Sequence, residues 1–180
     1  TTPIKKGNDY LHIRDRYLAD DYLKQNQKQL RKVASAYKKA PFYDEVMPLL
    51  SNCFLYESQN LFEFILNSIL QIKKHLNIPT EIVISSSIEP EQNIQKGVDR
   101  VINICRLLSA QKYLNPIGGT ALYSKQLFFD NHIQLNFLST NSVEYNQQTD
   151  EFIPFLSIID VLMFNGKKRT IEFLKDFSII

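Results

Sequence analysis

The chain has 180 residues, of which 44% are hydrophobic and 22% charged, enough for one sizeable core and ordinary for a globular protein. A formal charge of +2, with lysines in short doublets such as Lys5-Lys6, Lys38-Lys39 and Lys73-Lys74 that read as solvated faces, argues against nucleic acid as a partner. No apolar run approaches the roughly 18 residues of a membrane span and no basic-then-apolar leader opens the chain, so no transmembrane segment and a cytoplasmic location are expected.

Residues 1–6 and 10–14 read as short extended segments around the turn Gly7-Asn8-Asp9. The opening Thr1-Thr2-Pro3-Ile4 has no initiator Met and begins in strand-like sequence, as expected of a fragment or trimmed form of a longer chain. A helix is predicted from Asp20-Asp21 to Lys39, with Leu23, Leu30, Val33, Ala34 and Tyr37 on one face. Pro41 stops it, and residues 42–54 predict a second, shorter helix. Ser58 is the expected N-cap of a third helix through His75, whose Leu61, Phe62, Ile65, Ile69, Ile72 and Leu76 follow helical spacing.

The centre changes character. Residues 80–84 form a β-branched run, read as a strand, that ends in Ser85-Ser86-Ser87. A helix is predicted over 91–110 with Ile94, Val98, Val101, Ile102, Cys105 and Leu108 inward, then a short strand over 112–114. The turn Asn115-Pro116-Ile117-Gly118-Gly119-Thr120 leads into a predicted helix over 120–130 and a strand over 133–138. This order predicts an α/β fold: a small, largely parallel sheet flanked by helices, with a helical first half, in one domain spanning 1–180. Residues 141–150 are the expected long loop. Pro154 is expected in the first turn of a helix running to Phe164 and closed by Asn165-Gly166, and a last helix over 168–177.

In a parallel sheet, residues 85–87, 115–119 and Ser139-Thr140 fall at the carboxyl ends of strands, where open α/β sheets bind ligands. The N–H groups of Gly118 and Gly119 and the Thr120 hydroxyl suit a phosphate or carboxylate. A strand-to-helix turn capped by Thr120 accounts for the same residues with no ligand. Neither the GxGxxG nor the GxxxxGK[ST] spacing is present, so no nucleotide motif is claimed.

Ser157 and Asp160 stand three apart among apolar residues, so they share a helix face. A carboxylate in such surroundings has to be paired, which makes Asp160 a candidate base or ligand contact, or a structural acceptor. Lys39 and Tyr43 suit an anion near a helix end, or simply form a helix-Pro-helix corner. His12, His75 and His132 show no HxH, HxxxH or HExxH spacing, and Cys53 and Cys105 form no CxxC. No metal site is expected, and the cysteines read as buried free thiols of a reducing compartment.

Several segments together resemble the WbqC-like protein family. They are Thr2-Pro3-Ile4-Lys5-Lys6, Ala36-Tyr37-Lys38-Lys39-Ala40-Pro41-Phe42-Tyr43, residues 82–86, residues 113–123 and Glu151-Phe152-Ile153-Pro154-Phe155-Leu156-Ser157-Ile158-Ile159-Asp160-Val161. Their order and spacing cover nearly the whole chain. The resemblance implies a role among bacterial O-antigen, lipopolysaccharide and other surface-polysaccharide gene sets. It implies a transferase-like enzyme acting on a nucleotide-linked or lipid-linked sugar. The ligand would sit over Ser85, Ser86, Asn115, Gly118, Gly119, Thr120 and Tyr123, with Asp160 as base or orienting residue and Ser157 beside it. A non-catalytic binding or scaffold subunit of the same pathway is the alternative. Neither a cofactor nor an oligomeric state is fixed by the sequence. Family members usually carry a further N-terminal segment with a Gln-Pro and an aromatic-Pro-Trp-Gly pattern, which has no counterpart here.

Overall fold

The helical spacing of the first half produces three helices: α1 (Tyr22–Tyr37), α2 (Tyr43–Phe54) and α3 (Leu61–His75). The computed structural model describes residues 1–88, 96–149 and 151–180; the reading of Ile94 and of helix over 91–95 lies outside them. The chain divides into two compact units. A helical unit combines Thr1–Pro79 with Glu144–Leu174, and a sheet unit combines Thr80–Val143 with Lys175–Ile180.

In the helical unit, α2 buries Val46, Leu49, Leu50 and Cys53. Helix α7 (Ile158–Phe173) contributes Leu162 and Met163, 1% and 0% exposed, to the same core. Leu30, Val33 and Tyr37 of α1 pack on its margin. Each fully buried aliphatic side chain stabilises such a core by about 1.5–3 kcal/mol. Three readings of the sequence are corrected here. The N-cap of α3 is Asn60, whose side chain accepts the Glu63 N–H at 3.2 Å, while the Ser58 hydroxyl donates to the Glu63 carboxylate at 2.6 Å. Residues Ile13–Asp15 form a 3-10 turn, not an extended segment; Ile4↔Leu18 and Tyr17↔Asn60 are the bridges nearby. Pro154 lies outside α7: Phe155 adopts a left-handed backbone (φ 58°), outside the helical region, and Ser157 caps the helix.

Gly166 interrupts α7 where the sequence placed its stop. Its φ of 62° is a conformation glycine adopts freely, and the Phe42 ring would lie 2.5 Å from any Cβ there. The helix resumes beyond the break and ends at Phe173, so the predicted last helix over 168–177 is shortened.

The sheet unit holds α4 (Ser85–Ile88), α5 (Gly97–Leu107), β1 (Lys112–Pro116), α6 (Lys125–Phe129), β2 (Gln134–Thr140) and β3 (Phe177–Ile179). The sheet order is β1-β2-β3. β1 and β2 run parallel, with Tyr113 opposite Leu135, and β2 and β3 antiparallel, with Ser139 opposite Ser178. The fold is therefore mixed α/β with a mixed sheet, and the expectation of a largely parallel one is corrected. Residues 80–84 belong to none of the three strands, and Ile82, Val83 and Ile84 stay 39%, 47% and 38% exposed. β-Branched composition stabilises a strand only where a neighbouring strand pairs with it, and among the described residues none pairs with 80–84. The third strand begins at Phe177, the last residue of the predicted final helix, and continues through Ser178 and Ile179, for which the sequence predicted no element. Ile102, Cys105, Phe128, Ile133, Leu135 and Phe137 make the core of this unit. Both cysteines are buried and free, and among the described residues no helix is long and apolar enough to cross a membrane.

Candidate functional site

In the helical unit the candidate that gathers a hydrogen-bond network is Asp160, in the first turn of α7. Its carboxylate is 4% exposed and accepts from the Tyr37 hydroxyl at 2.9 Å and the Tyr145 hydroxyl at 2.7 Å, one on each oxygen. The Gln147 amide adds a longer contact at 3.3 Å. Gln147 is itself 6% exposed and fixed at its other end: its Oε1 accepts the Ile153 N–H at 2.8 Å and its Nε2 donates to the Ile153 carbonyl at 2.9 Å. The network thus ties α1, the segment 145–153 and α7 together. A buried carboxylate would be costly alone; three donors satisfy it.

The tyrosines are held as donors. Burial, and then the hydrogen bond to Asp160, push both the Tyr37 and the Tyr145 hydroxyl up to about 12. Tyr145 also packs its ring edge-on to Phe152 and stacked on Phe173, and Tyr37 lies against Phe164. Ser157, three residues before Asp160, is the N-cap: its hydroxyl accepts the Ile159 N–H at 3.3 Å. Ser157 also sits on an apolar cavity of about 210 Å³ lined by Leu50, Phe54, Phe64 and Ile72.

The other candidates belong to the sheet unit. Asn115, Gly119 and Tyr123 come together at the carboxyl end of β1. The Asn115 amide occupies the space a Cβ on Gly119 would need, and the Tyr123 ring lies 3.3 Å from it. Asn115 accepts the Tyr113 hydroxyl at 3.0 Å and donates to the Pro116 carbonyl at 3.2 Å. Tyr123 is an aromatic core residue, edge-on to both Tyr113 and Phe128. Gly118 is different: it is exposed, with nothing within 4 Å of where a Cβ would stand.

The predicted helix over 120–130 is corrected to five residues, α6, with its own cap at Ser124. Ile117–Gly119 form a 3-10 turn, and Thr120 donates its N–H to the Ile117 carbonyl, so no helix N-terminus points at the glycines. The anion reading loses the dipole it invoked. Ser85 and Ser86 lie in α4 and not after a sheet strand, another correction; Arg100 reaches the Ser85 hydroxyl at 3.4 Å. Lys39 is exposed and Tyr43 packs on the helical core, the corner reading of that segment. No cluster of three or more His, Cys, Asp and Glu side chains suited to a metal exists among the described residues.

Two features escaped sequence reasoning. Tyr145 and Gln147 lay in a stretch read only as loop, although a tyrosine and a glutamine beside a buried carboxylate are its natural donors. A groove of about 770 Å³ between α6 and β2, rimmed by Lys125, Phe129, His132, Gln134 and Asn136, contains none of the residues proposed for the sugar site or as catalytic.

The profile of the WbqC-like protein family matches residues 1–172. No curated protein and no solved structure is significantly similar to the chain.

Proposed function

The chain belongs to the WbqC-like protein family, and on that premise we propose that it serves bacterial surface-glycan assembly by binding an activated sugar, nucleotide-linked or lipid-linked, as a non-catalytic subunit. The observation that carries this reading over a transferase is the state of Asp160. A general base needs a lone pair within reach of the proton it removes. Asp160 is 4% exposed and each of its oxygens already accepts a tyrosine hydroxyl. Ser157 caps α7 with its hydroxyl, a structural task. Asp160 then orients two tyrosines and joins three chain segments, and its burial keeps it away from an incoming substrate.

The sugar-binding surface in this reading is the turn after β1. Gly118 offers exposed backbone that a ligand can approach closely, with Thr120 next to it, Asn115 and Gly119 setting the turn, and Tyr123 supporting it from the core. Ser85 and Ser86 are the further polar groups of the same unit.

Calorimetric titration of the chain with nucleotide sugars and lipid-linked sugar analogues, with sugar transfer followed in the same samples, tests the proposal. Binding without transfer is expected, weakened in Gly118→Val and unchanged in Asp160→Asn. Transfer by the wild type that vanishes in a folded Asp160→Asn protein would assign a transferase instead. No binding of any activated sugar would remove the sugar reading altogether.

A further inference from the structure

We propose that helix α1 is a docking surface for an anionic lipid bilayer, a role separate from the sugar reading above. Between Tyr22 and Tyr43 the sequence holds six cations and no acid: Lys24, Lys28, Arg31, Lys32, Lys38 and Lys39. All six are exposed, and none makes an ion pair or side-chain hydrogen bond among the described residues. Lys5 pairs with Asp20 at 2.6 Å and Arg169 with Glu172 at 2.6 Å, whereas the α1 cations have no acid among them to pair with.

The placement is one-sided. At 3.6 residues per turn, Lys24, Lys28, Arg31, Lys32 and the C-cap Lys38 project within an arc of about 120° and over a length of about 20 Å. That arc is opposite the side that carries Tyr22 and Asn26, buried in the helical unit, and Val33, packed on its core. Lys24 with Lys28, and Lys28 with Lys32, are like charges at i,i+4, an arrangement that weakens a helix in water. An anionic surface relieves that repulsion, and charge complementarity to such a surface is what the stripe provides.

The shape selects a bilayer over an anionic polymer. The charges form a single exposed row along one helix, a linear array that suits a planar anionic surface and does not enclose a strand. No exposed aromatic side chain lies on the stripe, so bases would find nothing to stack on. The binding is electrostatic, contributing about fivefold in partition coefficient per cation, and salt weakens it as the screening length shortens from about 10 Å at 0.1 M to about 3 Å at 1 M.

The test is sedimentation of the full chain with vesicles of phosphatidylcholine alone or mixed with phosphatidylglycerol. The expected result is binding to the mixed vesicles only, reversed by salt. Lys28→Glu is expected to weaken it about twentyfold or more. The same variant turns two like-charge pairs into opposite ones, so its thermal midpoint is expected to hold or rise, and the lost binding is not unfolding. Lys24→Gln with Lys32→Gln gives a second variant of smaller charge change. Lys112→Glu, exposed and in the sheet unit, is the control expected to bind like the wild type. Absent binding, equal binding to phosphatidylcholine, unchanged binding in the α1 variants or equal loss in Lys112→Glu would each overturn the proposal. So would an oligonucleotide that binds as tightly and through the same lysines. The vesicles carry no sugar, so the outcome is independent of whether the chain binds one.

Discussion

Replacing Asp160 by Asn removes one charge and swaps one acceptor oxygen for a donor, at nearly constant volume. The carboxylate accepts from Tyr37 at 2.9 Å and from Tyr145 at 2.7 Å. An amide accepts through one oxygen only, so one tyrosine hydroxyl must rotate to accept from the new NH₂ group. Hydrogen bonds to charged groups contribute about 1.5–3 kcal/mol and neutral ones about 0.5–1.5. With two bonds weakened by roughly 1 kcal/mol each, the variant should lose about 2–3 kcal/mol and remain folded. Urea denaturation followed by far-ultraviolet circular dichroism measures this as a lower midpoint at an unchanged slope. Pairing the variant with Tyr145→Phe in a double-mutant cycle should return a coupling of about 1 kcal/mol or more. A wild-type midpoint, or a coupling indistinguishable from zero, would refute the view that a charged carboxylate holds α1, α7 and the segment around Tyr145 together.

The same network sets an alkaline limit. Tyr37 and Tyr145 carry hydroxyls raised from about 10 to about 12, so the unfolded chain releases these protons first; the contribution to stability is complete below about pH 10 and falls as pH rises towards 12. Tyrosinate absorbance during pH titration should show a late-titrating group of tyrosines that includes these two, and in Asp160→Asn Tyr37 and Tyr145 should titrate earlier. At the break in α7, Gly166→Ala combines a left-handed backbone with a methyl 2.5 Å from the Phe42 ring, and a loss of about 2–4 kcal/mol is expected in thermal unfolding. The adjacent glycines after β1 should separate cleanly in the same assay. Gly118→Ala meets nothing within 4 Å and should change stability by less than about 0.5 kcal/mol, whereas Gly119→Ala displaces the Asn115 amide and should cost about 1–3.

Helix faces were legible because their signal is local. Leu30, Val33 and Tyr37 recur at 3.6-residue spacing, and the structure packs them on the core as that spacing implies. The stop at Gly166 was legible for a related reason: a glycine ending an apolar helical run marks a backbone change whatever the rest of the fold does. The strand over 80–84 failed because composition cannot report whether a neighbouring strand arrives, and the strand at the C-terminus failed because its pairing with β2 is made at long range. Of the candidate site, the burial of Asp160 among apolar residues could be read directly. Its partners could not. Tyr37 is 123 positions away and was assigned by its ring to a helix face, while its hydroxyl, the polar tip, decides its role.

The order of the segments has a consequence for how the molecule is made and broken. The helical unit is written in two pieces, residues 1–79 and 144–174, with most of the sheet unit inserted between them and β3 appended after. During synthesis the first three helices wait, with Val46 and Leu50 uncovered, until Leu162 and Met163 emerge. Closing an insertion of that length costs about 4 kcal/mol of chain entropy, which the α7 contacts and the Asp160 network must offset. A protease cut anywhere in 80–143 converts that closure into an encounter between two separate molecules and makes it concentration-dependent. A nick in the inserted segment is therefore expected to loosen a core that contains none of its residues.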